Sequence, residues 1–110
     1  MKSLSDDQMR VLIDEFFTES DEDVVGLFAI AQAVEDLIKD KDMAREQALR
    51  VVEGLLDRGM LAGQSPYCID GYQPWPDQDR TTVINRIRSE WLALGRSPTI
   101  TDIVWFGPPQ

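Results

Sequence analysis

Carboxylates are almost the only side chains of this chain that are numerous enough to do chemistry. Asp14, Glu15, Glu19, Asp21, Glu22 and Asp23 fall within ten residues, and twenty Asp/Glu face eleven Lys/Arg overall. As a calcium loop the cluster fails, because Asp21-Glu22-Asp23 lacks the alternate acidic spacing and distant Glu of an EF-hand. A solvated helix start accounts for that run better. As an acid–base pair for glycoside hydrolysis, it lacks any sign that two carboxyl groups share a cleft. As a field that attracts a cationic protein, it needs only one sign of charge concentrated on a small domain.

The remaining chemistry is thin. The chain has no histidine, which removes Ser-His and Cys-His nucleophiles, imidazole metal ligands and the commonest general base. The single cysteine, Cys68, allows no internal disulfide and fits a reducing compartment. Between Tyr67 and Ile69 it reads as a small apolar residue rather than a nucleophile. Gly59 and Gly63 belong to neither a GxGxxG nor a GxxxxGK[ST] phosphate loop. No enzymatic activity, cofactor or metal is expected, and the sequence points to binding instead.

Charge is also unevenly distributed. Residues 1–42 hold twelve Asp/Glu against four Lys/Arg, whereas residues 43–110 hold eight acids against seven arginines. That asymmetry opposes nucleic-acid binding and favours a basic protein partner. The longest apolar stretch, Val24 to Val34, is interrupted by Gly26 and Gln32 and is too short to span a bilayer. Residues 1–7 contain no apolar signal region. The expectation is one cytoplasmic domain over 1–110, large enough to bury a core without staples.

Four helices must carry these groups. Ser5 and Gln8 form a capping box with Leu4 and Met9 as its hydrophobic staple, and Met9, Leu12, Ile13, Phe16 and Phe17 repeat at helical spacing over 6–18. Val11 lies opposite that face, ringed by Asp7, Asp14 and Glu15, as a small contact point for a basic partner or simply a lone exposed residue. A second helix is predicted from a Ser20 or Asp21 cap, with Glu22 and Asp23 in its first turn and a face of Val24, Leu27, Phe28, Ala31, Val34 and Ile38. Ile30 and Leu37 widen this face into that of a central, largely buried helix. Asp42 is expected to cap a third helix over 43–58 that ends in a Schellman turn at Gly59. Asp77 is expected to cap a fourth over 78–94 ending at Gly95, with Leu92 on its outer side as a candidate homodimer contact. Between the third and fourth helices, Met60-Leu61-Ala62 and two short pieces, 67–70 and 72–75, read as a hairpin. Pro74 and Pro76 keep its second arm out of a sheet centre. Ile100 to Phe106 reads as a last strand that pairs with the hairpin.

This order predicts an α+β, mainly α fold that is winged-helix-like: four helices, a short β-hairpin wing and a C-terminal strand. Leu55-Leu56-Asp57-Arg58-Gly59-Met60-Leu61 resembles the end of a winged-helix third helix, and Gly71-Tyr72-Gln73-Pro74-Trp75 resembles a wing. Arg86 to Trp91, Leu94-Gly95-Arg96 and Asp102 to Phe106 resemble the tail of small bacterial winged-helix-like proteins of unassigned function. The resemblance covers residues 24–106. The overall profile, small and acidic without catalytic equipment, is also similar to that of immunity proteins paired with bacterial nuclease toxins. It implies a cationic nuclease domain as partner.

The alternative is a winged-helix regulator that binds DNA, a protein or a small ligand, the last through a hydrophobic pocket between the second and fourth helices. In a DNA reader, the third helix projects basic or amide side chains into the major groove. Here its outward positions read Glu46, Gln47, Arg50, Glu53 and Asp57, and the wing over 64–72 has no Lys or Arg. Only a gathering of Arg45, Arg50 and Arg58 would offset this. Tyr72, Trp75 and Tyr67 of the wing are candidate anchors for a protein partner, or packing groups.

Overall fold

Ser5 begins the first helix as its sequence predicts. A computed structural model describes residues 4–19, 24–67, 69–99 and 102–108. Ser5 N–H donates to Gln8 Oε1 at 3.0 Å and Gln8 N–H donates to Ser5 Oγ at 3.1 Å, closing the capping box of α1 (Asp6–Glu19). Leu4 is buried beside it, and its N–H donates to the buried Gln47 Oε1 at 3.3 Å.

The first difference from expectation follows α1. Val25–Gly26 form a short strand, β1, and α2 spans Leu27–Leu37. Val24 is therefore outside the helix, and no acid occupies its first turn. Residues 20–23 lie outside the described residues. The continuous apolar run hid this boundary, since β-branched residues and helix formers follow one another without a polar break. Gly26 is the N-cap without a side-chain hydrogen bond; Leu27 N–H instead donates to Val104 O at 3.1 Å. At the other end, Lys39 Nζ donates to the carbonyls of Glu35 and Asp36, meeting orphan acceptors of the last turn.

Three residues separate α2 from α3 (Lys41–Asp57). The N-cap is Asp40, whose carboxylate accepts from Met43 N–H at 2.9 Å, rather than Asp42. Asp42 lies in the first turn and pairs with Arg45. The C-terminus forms the expected Schellman turn: Met60 N–H donates to Leu55 O and Gly59 N–H to Leu56 O, with Gly59 at φ 97°. The central helix is α3 rather than α2. It packs against α1, α2 and α4 (Arg80–Leu94), while Leu37 of α2 is 46% exposed. Gln47, expected to face outward, is buried. Gly54 permits the α1 contact, because a Cβ there would collide with Ile13 Cδ1.

The cap of α4 is Asp79, accepting from Thr82 N–H at 3.1 Å, and not Asp77, which accepts from Asp79 N–H. Gly95 ends the helix at φ 72°, as expected. Strands β2 (Leu61–Gly63) and β3 (Trp105–Gly107) complete a three-stranded antiparallel sheet of order β1-β3-β2, with Ala62 and Val25 both opposite Phe106. The expected second hairpin arm forms a single backbone bridge with β2, Gly63–Pro74, and β2 takes its main strand partner from the far end of the chain. Gln78 covers the outer side of β2: its amide accepts from Ala62 N–H and donates to Ala62 O, which protects an otherwise open edge. Ile100 and Thr101 of the predicted last strand fall outside the described residues, and 102–104 are not strand because Asp102 holds a turn. Its carboxylate accepts from Arg96, Thr99 N–H and Thr99 Oγ1, and Ile103 follows at φ 62°. The result is a mainly α, α+β fold with four helices and one small sheet among the described residues.

Two stability predictions follow from these contacts. Gly54→Ala gains about 1 kcal/mol of helix propensity but forces Ile13 aside, at a cost of about 1–3 kcal/mol. It is expected to destabilise the native protein and to stabilise an Ile13→Ala background, a change of sign measurable by urea denaturation. The Asp102 carboxyl is lowered to about 2, chiefly by the Arg96 hydrogen bond and then by Thr99. A lowered folded pKa contributes stability above the usual carboxylate value, and that stability is lost as pH falls through the folded value. Asp102→Asn should therefore lower Tm at neutral pH, with the gap from the native protein closing between about pH 4 and 2.

Candidate protein-interaction surface

Helix α1 carries three of the six acids singled out from the sequence, and they differ in use. Asp14 forms an ion pair with Arg58 at the end of α3, and the Arg58 guanidinium lies 5.4 Å from the Phe17 ring centre. That carboxylate therefore ties α1 to α3. Glu15 and Glu19 are exposed and form no ion pair among the described residues. Asp21, Glu22 and Asp23 fall outside the described residues.

Beside Glu15, α1 and the last turn of α2 enclose a shallow groove of about 400 Å³, lined by Asp7, Gln8, Val11, Leu12, Glu15 and Leu37. Val11 is 50% exposed and Leu37 46%, so two large aliphatic side chains meet solvent together between carboxylates. Val11 and Glu15 stand out in the sequence alone. Leu37 does not, because its place on a nearly all-round apolar helix makes it look buried. An exposed apolar surface with a polar rim is the usual form of a protein contact.

Two of the aromatics expected from the sequence to act as anchors, Trp75 and Tyr72, are packed into the fold. Trp75 is buried, its backbone N–H donates to Ala62 O, and the Arg86 guanidinium sits 3.6 Å from its ring centre. Tyr72 is half-buried: its hydroxyl donates to Leu61 O at 2.6 Å and accepts from Gly107 N–H at 3.1 Å. Burial pushes the Tyr72 hydroxyl pKa up, partly opposed by that N–H. The ring occupies the space a Cβ would need at Gly63 and Gly107. The sequence cannot separate these roles, since an aromatic beside proline suits either. Tyr67 and Ile69, between β2 and α4, are exposed, with Tyr67 edge-on to Trp105 at 5.8 Å.

Much of the charge expected to face outward from α3 is tied up in ion pairs. Arg88 donates to Glu46 from α4, holding the Glu46 carboxyl below its usual value. Arg45 pairs with Asp42 and Glu46, Arg58 with Asp14, and Asp57 with Arg80. Of the three arginines considered for a basic face, only Arg50 is without an ion pair among the described residues. Between α2 and α4 lies a cleft of about 290 Å³ with Trp91 and Leu92 on its wall, but Glu35, Lys41, Arg45 and Arg96 make it largely polar rather than the expected hydrophobic pocket. Leu92 is 56% exposed.

Among the described residues, no group of three or more His, Cys, Asp or Glu is placed to hold a metal ion, and no helix is long and apolar enough to cross a membrane. No protein-family model, curated protein or solved structure matches the chain. A duplex oligonucleotide should show no mobility shift with this protein at ~150 mM salt, where exposed charges are screened within about 8 Å. A salt-sensitive shift under those conditions would assign a nucleic-acid role to Arg50 and its neighbours.

Proposed function

We propose that this protein is an acidic protein-binding module, and most concretely an immunity protein that neutralises a basic nuclease toxin by direct binding in the cytoplasm. The observation that carries the reading is the Val11–Leu37 groove with Asp7 and Glu15 on its rim. A nuclease must be cationic where it holds phosphate. An inhibitor of opposite charge meets it quickly, while apolar contacts set how long the complex lasts. The ion pairing of α3 supports the same reading, because Asp42, Arg45, Glu46 and Asp57 are engaged by neighbours within the fold, which leaves Arg50 as its one exposed arginine without an ion pair among the described residues.

The second reading is a winged-helix regulatory domain. It draws on the three-residue turn between α2 and α3, the β2 strand that follows, and the polar cleft walled by Trp91. A small polar ligand in that cleft would quench tryptophan fluorescence, whereas toxin binding at the groove would leave Trp91 unaffected.

The immunity reading is tested with a nuclease domain encoded beside this gene. The two proteins should co-purify, and the acidic chain should abolish nuclease activity at equimolar ratio. Replacing Glu15, Glu19, Asp21, Glu22 and Asp23 by the corresponding amides should slow association roughly tenfold at low salt and far less at ~1 M salt, where the Debye length is about 3 Å. Failure to bind or inhibit excludes the immunity role, and an on-rate unaffected by the amides removes the electrostatic part.

A further inference from the structure

The groove has a geometry more specific than a sticky acidic surface. Asp7, Val11 and Glu15 are each four residues apart on α1, so they form one ridge with an aliphatic centre and a carboxylate one turn to either side. The two acids are about 12 Å apart along the axis, at 1.5 Å per residue. Leu37 stands across from Val11, and the buried Leu12 forms the floor. Asp7 is held by Arg10 at 2.8 Å, but both side chains are well exposed. Such a pair contributes little and can exchange partners.

We propose that this groove docks an amphipathic helix of the partner that presents one apolar side chain with a Lys or Arg a turn before and a turn after it. This rests on the reading of the protein as a binder of basic proteins and names the segment it would grip. The cations reach Asp7 and Glu15 while the apolar residue covers Val11 and Leu37. A helix fits better than an extended peptide for a physical reason. The groove is walled by helical side chains, so an extended backbone laid over Val11 and Leu37 would find no ladder for its N–H and C=O groups. A helix satisfies those groups internally.

The test uses a fluorescein-labelled alanine-based peptide of about sixteen residues, long enough to be helical, carrying one leucine flanked by lysines one turn away on each side. Anisotropy should show saturable binding to the native protein. Moving the leucine to the opposite face, or inserting a central proline, should weaken binding roughly tenfold. The double variant Val11→Ser/Leu37→Ser, confirmed folded by circular dichroism, should lose a similar factor at all salt concentrations. Asp7→Asn/Glu15→Gln should lose affinity at ~50 mM salt and match the native protein near ~1 M. Equal binding of the native-pattern, displaced-leucine and proline peptides would overturn the proposal, as would unchanged affinity of Val11→Ser/Leu37→Ser. A nuclease partner still inhibited by Val11→Ser/Leu37→Ser would overturn the groove as its docking site while leaving the broader immunity reading in place.

Discussion

A helix packed against three others keeps only a narrow strip of its surface for solvent, and α3 is in that position. Close approach of α1 depends on Gly54, where any side chain would displace Ile13. Gln47 is turned inward, accepting from Leu4 N–H and so fixing the start of α1. The ends of α3 are held as firmly, by the Asp40 cap and by the Schellman turn that delivers Met60 into the core and Leu61 into β2. With α3 so enclosed, α1 and α2 become the outer helices, and the seam between them is where Val11 and Leu37 emerge.

The same enclosure decides what the charges do. Arg45, Arg58, Arg80 and Arg88 are engaged with Asp42, Glu46, Asp14 and Asp57. Surface ion pairs of this kind stabilise little individually, but they neutralise the arginines that a phosphate backbone would need. The exposed acids of α1 are left less compensated. The sequence-level charge asymmetry thus resolves into a partly self-neutralised α3–α4 side and an acidic α1 side. Asp14 shows that not every acid of the cluster belongs to the exposed field.

Much of this fold is legible in the residues because local chemistry controls it. The capping box at Ser5 and Gln8, the Gly59 and Gly95 terminations and the inward faces of α1 and α4 depend on neighbours within a few positions. The features that escape reading depend on distant partners. Val25–Gly26 is a strand only because Phe106 and Trp105 arrive to pair with it. Trp75 joins the core and is covered by Arg86 of α4, and the buried Gln47 is met by Leu4 from a distant part of the chain. The same division holds at the candidate site. Helical spacing brings Asp7, Val11 and Glu15 together, but Leu37 joins them through the packing of α2 against α3, which no periodicity in α2 encodes. Asp40 and Asp79 displaced Asp42 and Asp77 as caps by two residues each, since two aspartates spaced two apart offer equivalent caps and packing selects between them.

The proposed docking site is the seam between α1 and α2, rather than α3 or the segment between β2 and α4. Amide chemical-shift mapping during titration with the lysine-flanked leucine peptide addresses it directly. Shifts should concentrate on Asp7, Gln8, Val11, Leu12, Glu15 and Leu37, with Arg50, Tyr67 and Ile69 unchanged. Shifts centred on Arg50 or on Tyr67 and Ile69, with Val11 and Leu37 silent, would contradict it.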